Sequence, residues 1–177
     1  MPGLAAAYTP REREKIEVYR FSLVVTVFLP AAALLVQAFL PAKIHFFEIF
    51  DLPLLVTIFF AVARRSPVSG LLTGAVIGIV QDALGRHPIG LYGIAKTLVG
   101  YGASSIGVKI DVENHGSRLL LTTAFYLLHQ FIYFAVARGL VRETLSWRWG
   151  HTLLLAAANG LLALVLFAVL DRLKQRG

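Results

Sequence analysis

The stretch FSLVVTVFLPAAALLVQAFL, Phe21 to Leu40, carries no charged side chain over its full length. A helix of roughly 20 apolar residues crosses the hydrocarbon core of a bilayer, so this stretch reads as a transmembrane span. Its Pro30 is compatible with that reading, because a membrane helix tolerates a kink when neighbouring groups re-satisfy the freed carbonyl. Working outward, five further apolar runs follow: Ile49 to Ala63, Pro67 to Leu84, Ile89 to Val108, Leu119 to Ala137 and Thr152 to Leu170. The second is short unless it borrows Phe46 and Phe47. The fold class expected is an all-α integral membrane protein of about six transmembrane helices, with a polar segment over 1–20, the membrane domain over 21–170 and a tail over 171–177.

Composition agrees. Hydrophobic residues make up 57% of the chain and the mean hydropathy is +0.71, beyond the usual range for a domain dissolved in water. The net charge of +7 comes from Lys and Arg scattered in short clusters between apolar runs. Nucleic-acid binding, which needs a basic stripe or patch, is therefore not expected, and these charges read as flanks that orient membrane helices. There is no cysteine, which excludes disulfides, a thiolate nucleophile and a cysteine metal site. About 20 mostly polar residues precede the first run, so that run reads as an uncleaved anchor and not as a signal peptide.

Local signals refine the organisation. Thr9-Pro10-Arg11-Glu12 forms a capping box, and the alternating charges from Arg11 to Glu17 predict a short solvated helix leading into the first span. Arg64 to Pro67 and Gly85 to Pro88 are turns of a few residues, so runs two to four should pack as antiparallel hairpins. Only Pro41 to Glu48 and Arg138 to His151 are connections of any size, too small for a soluble domain. With the N-terminus inside, eleven Lys and Arg fall on the cytoplasmic side and five on the other, which favours both termini in the cytoplasm. Trp147 and Trp149 then lie at the outer interface.

Polar groups inside the spans carry the functional information, since a charge at the bilayer centre costs at least about 2.5 to 3.5 kcal/mol and tends to have a partner or a use. Lys96 lies roughly 10 Å into the fourth run, and Asp82 lies near the end of the third, across the short turn. An Asp82 to Lys96 ion pair is expected, fixing the register of the hairpin, serving a ligand or partner helix, or relaying protons. His129, Gln130 and Asn159 sit near the middle of the fifth and sixth runs and are expected to form interhelical hydrogen bonds. Gly70, Gly74 and Gly78 share one face of the third run, a surface for close approach by another helix of this chain or of a partner. The five histidines lie in separate elements, so neither a metal nor another cofactor is expected, and no catalytic triad, nucleotide-binding loop or carboxylate pair points to an enzyme.

The residues Phe50-Asp51-Leu52-Pro53, Gly70 to Gly74, Gly78-Ile79-Val80-Gln81-Asp82-Ala83 and Pro88-Ile89-Gly90-Leu91-Tyr92-Gly93 resemble the bacterial rod shape-determining protein MreD family. In that family an acidic residue precedes the second span, the glycine-rich third span ends in Gly-x-x-x-Asp, and a short turn leads into Pro-x-Gly-Leu. The family aspartate falls on Asp82 and the turn on Pro88, Gly90 and Leu91, whereas Lys96 lies outside the pattern. The resemblance implies a fold similar to the substrate-binding (S) subunits of energy-coupling-factor transporters. It also implies a non-catalytic scaffold of the cell-elongation complex that binds an MreC-like membrane protein, with MreB, RodA and a class B penicillin-binding protein as further partners, in support of side-wall peptidoglycan synthesis. The competing reading is a solute-binding membrane subunit of a transporter, with a cavity lined by Lys96, His129, Gln130 and Asn159.

Overall fold

The computed structural model describes residues 19–85, 88–107, 114–142, 147–173 and 175–176. The six described α-helices are α1 (Leu23–Lys43), α2 (Leu52–Arg64), α3 (Pro67–Gly85), α4 (Leu91–Gly107), α5 (His115–Gly139) and α6 (Trp149–Leu170). Each falls on one of the six apolar runs, with ends displaced by a few residues. Four of them, α1, α3, α5 and α6, are long and apolar enough to cross a membrane. They expose many large apolar side chains, including Val24, Phe28, Leu72, Val76, Leu120 and Leu154. Such a surface is at home in lipid and not in water.

The expected helix over Arg11 to Glu17 lies outside the described residues. Just after it the backbone is extended: Tyr19–Arg20 pairs antiparallel with Gln175–Arg176, which brings the two ends of the bundle together. α1 begins at Ser22, whose Oγ accepts from the Val25 N–H at 3.3 Å, and continues through both Pro30 and Pro41 to Lys43. Phe46 and Phe47 do not lengthen α2. They belong to a 3-10 turn over His45–Ile49, where Phe46, Phe47 and Phe50 pack their rings together.

α2 is the centre of the bundle. Every residue from Pro53 to Ala63 is buried, and a helix that is apolar all round belongs inside. Its 13 residues span about 20 Å at 1.5 Å each, short of the roughly 30 Å hydrocarbon core. Phe59 and Phe60 anchor it, packing edge-on with Phe21, and Phe59 also meets Phe167 of α6. At the far end Arg65 takes a left-handed conformation (φ 52°) that turns the chain into α3. Arg64 folds back there, donating to Thr26 Oγ1 at 2.7 Å while its guanidinium lies over the Phe60 ring.

α3 and α4 form the most extensive helix pair. Gly70, Gly74 and Gly78 face α4, and a Cβ on any of them would collide with the carbonyl oxygens of Gly100, Lys96 and Tyr92 respectively. Gly100 reciprocates against the Gly70 carbonyl. The glycine face is thus occupied within this chain and is not open to a partner.

Candidate functional site

The glycine stripe continues by one more four-residue step to Asp82, which is fully buried. Its carboxylate accepts from the backbone N–H groups of Gly90 (2.8 Å), Tyr92 (3.0 Å) and Gly93 (3.1 Å). The orphan amides and positive dipole end of α4 therefore meet a negative charge. Pro88 opens the turn, with its carbonyl accepting from Leu91 N–H at 3.4 Å, and Leu91 is buried below it. Gly90 has φ +112°, a conformation that a side chain resists, so the Pro-x-Gly-Leu pattern follows from geometry.

The expected pair of Asp82 with Lys96 is not formed. Lys96 Nζ instead donates to both carboxylate oxygens of Asp51, at 2.8 Å and 2.7 Å. The physical reason is occupancy and depth: Asp82 is engaged by three amides at the mouth of α4. Lys96 lies farther along that helix, where its side chain faces the start of α2.

Asp51 is the residue that organises the site. It caps α2, its Oδ1 accepting from Leu54 N–H at 3.0 Å, and Pro53 just inside the helix fits a helix start. The start of α2 is buried in the bundle, so its other donors need partners from neighbouring helices. Asp51 N–H donates to Asn159 Oδ1 at 2.9 Å, and Leu52 N–H donates to Gln37 Oε1 at 3.1 Å. Asn159 Nδ2 in turn donates to the carbonyls of Ile49 (2.8 Å) and Leu155 (2.9 Å). Asn159 lies near the middle of α6, about 15 Å from its start, which puts the beginning of α2 deep in the bundle. Irregular backbone at such a depth persists only where protein supplies its hydrogen bonds.

His129 of α5 completes the cluster. Its Nε2 lies 4.0 Å from Asp51 Oδ2, and neither ring nitrogen has a hydrogen-bond partner among the described residues. The imidazole stacks on Tyr92 with centroids 5.8 Å apart, and Lys96 Nζ lies 5.3 Å from the centre of the Tyr92 ring. Gln130 is not in the cluster. It bonds along its own helix, Nε2 to Tyr126 Oη at 2.9 Å. The structure therefore brings Lys96, His129 and Asn159 together around Asp51, and leaves Asp82, Gln130 and the glycine stripe to other tasks. Gln37 carried a signal as a polar residue inside the first apolar run, and Asp51 as a cap before Leu52-Pro53.

Chemically this is a largely buried polar hub. Lys96, His129 and Asn159 are wholly buried, and the one full negative charge in reach of Lys96 Nζ is matched by two short bonds. Among the described residues no three His, Cys, Asp or Glu side chains are placed to hold a metal ion. What the arrangement can do is tie α1, α2, α4 and α6 to one point and fix the height at which α2 begins.

A family model for the rod shape-determining protein MreD matches residues 15–173 of the chain. No curated protein and no solved structure matches it.

Proposed function

The chain belongs to the MreD family of rod shape-determining proteins, and from that membership we propose that it is a non-catalytic scaffold of the machinery that elongates rod-shaped cells. In this reading it sits in the bacterial inner membrane with six spans and both termini in the cytoplasm. It binds an MreC-like membrane protein, works with MreB, RodA and a class B penicillin-binding protein, and so supports side-wall peptidoglycan synthesis. The spans would be arranged as in the substrate-binding subunits of energy-coupling-factor transporters.

The observation that carries the proposal is the extent of the family match, 15–173, which takes in every described helix. Three features support it. The charged and amide groups of the hub, Asp51, Lys96 and Asn159, are engaged in bonds between helices. The pairing of Tyr19–Arg20 with Gln175–Arg176 fits an even number of crossings between them, and the excess of positive charge fits termini that lie inside. Since the glycine face of α3 is used internally, partners would dock on the lipid-facing exterior. There α1 is the least covered of the four long helices. Depleting the protein in its host should turn rods into round cells, with restoration by the wild-type chain and not by a variant that fails to enter the membrane. Unchanged rod shape after full depletion would overturn the proposal.

A further inference from the structure

Beside the hub, a cavity of about 280 Å³ opens between α1, the 3-10 turn and the C-terminal end of α3. It is roomy enough for water, which takes about 30 Å³ per molecule, and its lining includes the polar side chains of Gln37 and Glu48. Asp51, Lys96 and His129 do not line it, but Tyr92 belongs to both the cavity wall and the hub. Its ring stacks on His129 with centroids 5.8 Å apart and has Lys96 Nζ 5.3 Å from its centre. Tyr92 is partly exposed, whereas the side chains of Lys96 and His129 are 0% and 1% exposed, against 12% for Asp51. The Tyr92 side chain thus stands between the cavity and the two most deeply buried ionisable groups of the hub. It is held there from two sides: the Tyr133 ring packs against it with centroids 4.8 Å apart, and its backbone N–H donates to Asp82 Oδ1 at 3.0 Å.

We propose that the ring of Tyr92 is a plug that keeps cavity water away from Lys96 and His129. The attraction between Lys96 and Asp51 weakens as the effective dielectric around them rises, so a dry Lys96 is what gives the pair its strength. Water passing the ring would meet His129 first, because that imidazole is the hub group stacked on Tyr92. Neither of its ring nitrogens has a hydrogen-bond partner among the described residues, so it stands ready to receive that water. Asp82, which starts α4 by accepting from three amides, also sets the position of the plug through the Tyr92 amide. This barrier stands independently of the cell-shape reading.

The test is deuterium exchange at the imidazole C2 position of each histidine, read by mass spectrometry on the full-length chain in detergent micelles. His45, His115 and His151 are exposed and serve as internal references. In the wild type His129 should exchange more than about tenfold slower than these three, a factor that an opening free energy of only about 1.4 kcal/mol already gives. Tyr92→Ala should speed exchange at His129 by about tenfold or more and leave the references unchanged, whereas Tyr92→Phe, which keeps the ring, should leave His129 slow. Ala38 lines the cavity, so adding Ala38→Phe to Tyr92→Ala should block the entry and slow His129 again. Each variant must elute as a folded monomer, and Tyr92→Leu takes the place of Tyr92→Ala if the alanine variant does not. Three results would overturn the proposal: wild-type exchange at His129 as fast as at the references, exchange that stays slow in the folded alanine or leucine variant, or fast exchange that Ala38→Phe does not slow. Fast exchange in Tyr92→Phe would do so as well, since the ring would then not be the barrier.

Discussion

Replacing Lys96 with methionine keeps a long unbranched stem and removes the ammonium, so the Asp51 carboxylate loses partners at 2.7 and 2.8 Å. It retains the Leu54 amide at 3.0 Å, and His129 stands at 4.0 Å. Breaking a buried pair from one side costs about 3 to 5 kcal/mol, because the remaining charge stays in a poor solvent. Asp51→Asn should lose a similar amount by stranding the ammonium of Lys96, which is 0% exposed, even though asparagine still caps α2. The double variant removes both charges and should cost less than either single change, giving a coupling energy above roughly 3 kcal/mol. The assay is reversible unfolding in mixed micelles of dodecyl maltoside and sodium dodecyl sulfate, followed by tryptophan fluorescence. A cycle between Lys96→Met and Asp82→Asn serves as the comparison and should show far weaker coupling. Additive losses at Asp51 and Lys96, or rescue of Lys96→Met by Asp82→Asn, would refute the pairing.

Gly74→Leu should abolish the folded monomer on size-exclusion chromatography, because even a Cβ there meets the Lys96 carbonyl, whereas Gly139→Leu, in open space, should elute normally. Asp82→Ala strands three amides and should destabilise by more than about 2 kcal/mol, with Asn recovering part of the loss. Hydrogen exchange at Gly90, Tyr92 and Gly93 should speed up most in the alanine variant. The cysteine-free chain suits single-cysteine labelling: positions within Glu113 to Gly116 and after Gly177 should label from the cytoplasm, and positions within Arg142 to Trp147 from outside. An externally labelled C-terminus would remove the six-span arrangement.

Most of the helical architecture was legible in the sequence because each helix is an apolar run bounded by charge, glycine or proline. The hub was only partly legible, for reasons of topology. Sequence proximity pointed Lys96 toward Asp82, fourteen positions away, whereas Asp51 is 45 positions away and comes within reach only because α2 packs against α4. Asn159 is 108 positions from Asp51, so its role as a surrogate cap could not be read from local spacing. The Gly70, Gly74 and Gly78 spacing announced a close contact but is the same for an internal or an external partner. Only the tertiary arrangement gives that face to α4. The early end of α2 carried a local signal in Asp51-Leu52-Pro53, a capping residue with proline in the first turn.

The scaffold account is tested most directly by affinity purification of the tagged chain from native membranes in mild detergent, with quantitative mass spectrometry of the proteins retained. An MreC-like membrane protein should be enriched in near-stoichiometric amount over an untagged control. A folded, monodisperse chain that recovers no MreC-like protein from membranes containing one would contradict the account.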